Sequence, residues 1–182
     1  IKGDSLEGYL FPDTYLVPSN IRTDLLVDIM LSRFRVQVIP FWKKARYNTK
    51  FSLHQIITLA SIIEKEAAVE TERPIISSVF YNRLKKRMYL AADPTVKYAL
   101  SEIRRPTKKV YWIDLAVDSP YNTYKHLGLP PGPICNPGLS SIKAAIYPVK
   151  TDYLYFVAKK DGAHIFSKTW QEHEEARKLV KK

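Results

Sequence analysis

One cysteine in 182 residues excludes an internal disulfide, so the fold has to be held by its core. A chain of this length can bury a sufficient core as one domain. Cysteine poverty leaves the redox compartment open, since it suits the cytoplasm and a disulfide-free extracytoplasmic protein alike. The histidines, at 54, 126, 164 and 173, lack the close spacing of a zinc site, and neither a metal nor another cofactor is expected. No apolar run approaches the ~18 residues of a membrane span, and no signal peptide opens the chain. A Walker loop, a zinc finger and an RNA-binding aromatic signature are missing too. So is a nucleophile elbow, because Ser61, Ser77 and Ser78 fall in helical patterns. Negative charge is the scarcer sign: 18 acidic residues against 29 basic ones give a net charge of +11. Such a surface prefers a polyanion, whether nucleic acid, anionic lipid or an acidic cell-wall polymer. With charge as its only support, a nucleic-acid partner is not expected.

What is present is helical first and extended late. After an irregular, aromatic start broken by Pro12 and Pro18, Thr23 can cap a first helix that Pro40 limits. Ser52 with Gln55 offers a capping box for a second helix, whose broad apolar arc marks it as central. A third helix is predicted from near Pro74, and a short fourth from Asp93 as cap with Pro94 in its first turn. The stretch from Tyr121 to Gly138 is dense in proline and glycine and predicts a loop of fixed shape. Ser140 or Ser141 can start a short helix stopped by Pro148. A β-hairpin turning at Asp161 and Gly162 follows, then a last helix boxed by Thr169 and Glu172. Helices followed by one hairpin, without a βαβ rhythm, define an α+β fold.

The candidate chemistry centres on the second helix. At about 100° per residue, Glu66 falls inside one edge of the apolar arc and Glu64 near the other. Burial away from cations raises a carboxyl pKa, so either could serve as a general acid; both could equally be salt-bridge partners. Glu70 is a weaker candidate, near the expected end of the helix. Tyr121, Asn122, Thr123 and Tyr124 place two aromatic platforms around two short polar groups, a combination that suits a pyranose ring; packing against the prolines is the alternative. Asp93 reads as a cap before it reads as a base. Asn82 and Arg83 can reach a groove or sit in a buried network, and His164 can face a ligand or solvent.

These segments resemble the catalytic domain of the YceG-like endolytic murein transglycosylases. The resemblance runs through EGYLFPDTY from Glu7, LASIIEKEA from Leu59, SVFYNRL from Ser78, ADPTVKYAL from Ala92, YNTY from Tyr121 and GLPPGPICNPG from Gly128. It ends with SIKAAIYPVKTDYLYFV from Ser141 and HIFSKTWQEH from His164. It implies a mainly helical, lysozyme-like or transglycosylase-like catalytic core with a C-terminal hairpin. The implied reaction cuts nascent peptidoglycan strands internally, between N-acetylmuramic acid (MurNAc) and N-acetylglucosamine, leaving 1,6-anhydro ends. Glu66, the second acidic residue of the EKE triplet, matches the family's catalytic glutamate. Asn82, Asp93, Thr95, Tyr121, Asn122, Thr123, Tyr124 and His164 are the expected substrate contacts.

The resemblance also implies a bacterial parent anchored in the cytoplasmic membrane, with a small module ahead of Ile1 and the catalytic part outside. Peptidoglycan strands are the expected partner, with peptidoglycan synthases beside them. Two features depart from the family pattern. Ala91 and Ala92 stand where Gln and then Ser or Thr are common before DPT, which either weakens glycan contacts on that wall or marks positions used less directly. Glu174 replaces a frequent Asn and reads as a surface change.

Overall fold

Helix α1, Thr23–Ala45, does not stop at its proline. Phe34, Val38 and Ala45 are buried, and Ile39, Phe41 and Trp42 pack against the core, so apolar burial on both sides carries the helix through Pro40. That burial outweighs the roughly 3 kcal/mol an interior proline costs. The expected cap is also corrected: Arg22 holds the capping position, Thr23 is already helical, and the Arg22 side chain makes no capping hydrogen bond. The computed structural model describes residues 5–47, 49–103, 105–107 and 109–181, so Arg104, Lys108 and Lys182 of the basic runs lie outside the described residues.

Helix α2, Leu53–Glu66, starts on the expected capping box. The Ser52 hydroxyl accepts from the Gln55 N–H at 3.2 Å, and the Ser52 N–H donates to Gln55 Oε1 at 2.8 Å. Every residue from Ile56 to Ile63 is buried. A helix apolar on all sides has to be wrapped by others, and α3 (Arg73–Lys85), α4 (Asp93–Glu102) and α5 (Leu139–Ile146) all pack on it. α2 ends on Glu66, with Ala67 extended at φ −82° and ψ 107°. Glu70–Glu72 then form a single 3₁₀ turn, and Pro74 lies in the first turn of α3 as expected.

Asp93 is not the cap of α4. Ala92 holds that position, Asp93 is the first helical residue, and its carboxylate is engaged elsewhere. Likewise α5 begins after Gly138, without a cap from Ser140 or Ser141. Strands β1 (Tyr155–Ala158) and β2 (His164–Ser167) pair antiparallel, from Tyr155 opposite Ser167 to Ala158 opposite His164. Gly162 sits in their turn at φ +85°, where an L side chain is strained. Helix α6, Trp170–Lys181, keeps its predicted box: the Glu172 N–H donates to Thr169 Oγ1 at 3.2 Å, and Glu172 Oε2 accepts from the Thr169 N–H at 3.4 Å.

The α+β architecture therefore stands, with one two-stranded sheet among the described residues. Asn82 and Arg83 of α3 fasten the hairpin to the helical body. The Asn82 amide donates to the carbonyls of Thr151 and Tyr153 at 2.8 and 2.9 Å, and Arg83 Nε donates to Leu154 O at 2.6 Å. The N-terminal stretch is pinned to the proline-rich loop, where Asn136 Oδ1 accepts from the N–H groups of Gly8 and Leu10. A β-carbon on Gly8, at φ +88°, would collide with Pro133. No described helix is long and apolar enough to cross a membrane.

Candidate active site

A cavity of about 920 Å³ opens between the end of α2 and the hairpin with α6. That volume falls within the usual span of ligand clefts, roughly 300–1,000 Å³. Glu66 lies on its wall with Arg83, Asp93, Tyr124 and His164, so five of the candidate residues singled out in the sequence meet in one place. Aromatic rings dominate the rest: Tyr89, Tyr111, Trp112, Tyr155, Phe156 and Trp170. Trp112 is 85% exposed and Trp170 55%, free faces of the kind a sugar ring can stack on.

Glu66 keeps part of its surface toward the cavity, yet protein atoms enclose its carboxyl. Burial pushes its pKa up to about 8, and the negative charge of Asp93 adds to the rise; Lys97 and Arg83 pull it down without cancelling it. No hydrogen bond contributes to that balance. The result is a carboxyl that holds its proton at neutral pH beside an open cleft, which is what a general acid requires.

Glu64 has a different occupation. Its Oε2 accepts from the Gly138 N–H at 3.2 Å, and its Oε1 lies 3.9 Å from Arg73 Nη2, so it ties the loop before α5 to the central helix. Glu70 accepts from Ser140 Oγ at 2.7 Å, on the surface. Helix projection left Glu64 and Glu66 open; their partners separate them.

The YNTY turn is mostly scaffold. Asn122 is fully buried, its amide donating to Leu115 O and Val117 O at 2.9 and 2.8 Å while its Oδ1 accepts from the Tyr124 N–H at 3.0 Å. Thr123 and Thr95, also buried, share a hydroxyl–hydroxyl bond of 2.9 Å, and Thr123 Oγ1 accepts from the Ala92 N–H at 3.0 Å. Tyr121 packs on Tyr98, ring centroids 4.6 Å apart. Only Tyr124 of the four reaches the cavity, where its hydroxyl donates to Asp93 Oδ1 at 2.6 Å. Asn82, bound to two hairpin carbonyls, also lies away from the cavity wall.

His164 does not face solvent. Its side chain is 4% exposed, Nδ1 meets Glu72 Oε2 at 2.6 Å, and the ring stands edge-on to Phe156. The two alanines that depart from the family pattern separate as well. Ala91 lines the cavity in the left-handed region, φ +47°, while Ala92 is buried in the core. Glu174 stays at the surface, its side chain 39% exposed, and its Oε1 accepts from Arg177 Nη1 at 2.6 Å.

Sequence reasoning missed Tyr111, Trp112, Tyr155, Trp170, His173 and Arg177. For Tyr111 and Trp112 a signal existed, two adjacent aromatics in an otherwise basic linker. For the others it did not, since strand and helix residues become cavity walls only through packing. Among the described residues, no group of three or more His, Cys, Asp or Glu side chains converges to hold a metal ion.

Fold and site together define an α+β protein with a proton-holding carboxyl on the wall of an open aromatic cleft. The chain belongs to the YceG-like family, whose model matches residues 2–179. It is 48% identical over 174 residues to the endolytic murein transglycosylase of Bacillus subtilis (strain 168), covering 94% of this chain and 47% of that protein. It is 35% identical over 172 residues to the endolytic murein transglycosylase of Streptococcus pneumoniae serotype 2, covering 93% of this chain and 31% of that protein. The chain thus spans less than half the length of these relatives. The crystal structure of a YceG-like protein from Listeria monocytogenes superposes with a TM-score of 0.86 at 48% identity, over 93% of this chain and 55% of that one.

Proposed function

We propose that this chain is the catalytic part of an endolytic peptidoglycan lytic transglycosylase. It cleaves the bond between MurNAc and N-acetylglucosamine in nascent strands and leaves 1,6-anhydro-MurNAc ends. The observation that carries this reading is Glu66, a carboxyl still protonated near pH 7 on the wall of an aromatic cleft. The names of the relatives support the same substrate class.

In this mechanism Glu66 gives its proton to the glycosidic oxygen as positive charge develops on the muramyl ring, which eases departure of the leaving sugar. The C6 hydroxyl of the same muramyl residue attacks its anomeric carbon and closes the anhydro ring. No water is consumed. Because the nucleophile is tethered to the substrate, proximity supplies what a hydrolase obtains from a positioned water. Arg83, Lys109 and Arg177 on the cavity wall suit strands whose stem peptides carry carboxylates.

The reading extends to a membrane-anchored parent, with this part on the outer face of the bacterial cytoplasmic membrane, working beside peptidoglycan synthases. Mass spectrometry of peptidoglycan digested with the intact protein tests the chemistry: anhydromuramyl ends are expected, and Glu66→Gln abolishes them while strand binding survives. Reducing ends carrying solvent oxygen, or unchanged cleavage by E66Q, would overturn the proposal.

A further inference from the structure

Tyr124 and Asp93 reach the cavity from two separate parts of the chain and meet at the 2.6 Å bond between phenol and Oδ1. Everything behind the pair is fixed. Asn122 Oδ1 holds the Tyr124 N–H, Thr123 O accepts from the Ala91 N–H at 3.1 Å, and the Thr123 and Thr95 hydroxyls join the turn to the first turn of α4. Asp93 neither caps α4 nor forms an ion pair among the described residues. Its second oxygen, Oδ2, receives no hydrogen bond from a described residue. A buried polar frame therefore stands behind Asp93 on the wall of the cavity that Glu66 also lines, with one carboxylate oxygen taken by Tyr124.

Two carboxyl groups thus face one cleft in unlike settings. Glu66 is enclosed at the end of an apolar helix, while Asp93 stands exposed at the edge with a phenol bound to it. Environments that differ in this way divide an acid from a base. We infer that Asp93, aligned by Tyr124, is the base that takes the proton of the muramyl C6 hydroxyl while Glu66 protonates the departing oxygen. This rests on the transglycosylase reading above.

The step balances without an outside reagent. The C6 oxygen bonds to C1 of its own ring, and the C1–O bond to the leaving sugar breaks. The Glu66 proton goes to the leaving oxygen and the C6 hydroxyl proton to Asp93; exchange with solvent then restores both carboxyls. Asp93 acts before the step as well, since its negative charge helps Glu66 stay protonated, against the positive charges of Lys97 from α4 and Arg83 from α3. Tyr89, Tyr111, Tyr124, Tyr155, Lys109, His164, His173 and Arg177 are the other titratable groups on the wall of the same cavity among the described residues.

The test uses the intact protein and uncrosslinked, peptide-bearing glycan strands, with cleavage, strand binding and the pH profile of kcat/KM measured separately. Asp93→Asn is expected to lose about 10²- to 10⁴-fold in cleavage while binding stays within about threefold. The alkaline limb of its residual activity should move to lower pH, because asparagine lacks the charge that raises Glu66. Asp93→Glu should recover part of the rate, and Tyr124→Phe should lose about tenfold. D93N cleaving within about threefold of wild type, losing binding and cleavage in equal measure, or keeping its alkaline limb in place would overturn the assignment. If D93N melts well below wild type, Y124F carries the same decision: loss of cleavage with binding kept supports the assignment, and unchanged cleavage overturns it. An inactive E66Q beside an active D93N sinks Asp93 alone, whereas an active E66Q sinks the transglycosylase reading itself.

Discussion

A carboxyl kept neutral by its surroundings destabilises the fold once it ionises. The folded-state pKa of Glu66 lies near 8 against an ordinary 4.5, so between those values the folded chain holds a proton that the unfolded chain has released. Stability from this group is therefore complete below about pH 4.5 and declines as pH rises toward 8. The cavity mouth screens part of the cost, leaving on the order of 1–2 kcal/mol. Glu66→Gln, which has no charge to bury, should melt roughly 3–6 °C above wild type at about pH 9. The two should converge near pH 4, and thermal melts across that range check it. Parallel curves for the two proteins would show that Glu66 ionises freely in the folded state. The neighbouring Glu64 is committed to structure, its Oε2 accepting from the Gly138 N–H.

Among the elements, α1 shows how packing overrides local preference. Pro40 is exposed and withholds one backbone donor, yet Phe41, Trp42 and Ala45 beyond it are drawn onto the core. Pro40→Ala should restore the missing helix bond and stabilise the chain by about 1–3 kcal/mol, measured as a higher denaturant midpoint. The capping boxes at Ser52 and Thr169 were legible from sequence because they depend on residues three apart. The stops of α1 and α2 were not, because they depend on what lies across the interface. The same contrast governs the site. Short polar groups beside aromatics suit a sugar, which makes Asn122 and Thr123 expected ligand contacts, and the family resemblance adds Thr95. Their hydrogen bonds turn inward instead, and sequence spacing carries no information about which side a buried amide faces. The hairpin was legible through its turn, whereas its role as a cavity wall required α3 to seat it through Asn82 and Arg83.

For the whole molecule, the net charge of +11 sets the terms of encounter. Positive side chains also enter the cavity, where Arg83, Lys109 and Arg177 share the wall with Glu66 and Asp93. Strand binding should weaken about tenfold between roughly 0.05 and 0.3 M salt, as screening shortens the reach of these charges. Strands whose stem-peptide carboxylates are amidated should show a shallower dependence. Titrations of both substrates at several salt concentrations would decide it, and identical slopes would mean that the charges do not read the peptide.

Helix α2 begins on a side-chain box at Ser52 and ends on Glu66, fourteen helical residues later, with its interior buried on every side. An added or deleted residue anywhere between those points swings the carboxyl by about 100° and slides it by about 1.5 Å along the axis. The apolar side chains ahead of the change would be turned out of their seats as well. This segment can exchange one hydrophobic residue for another, but its length is locked.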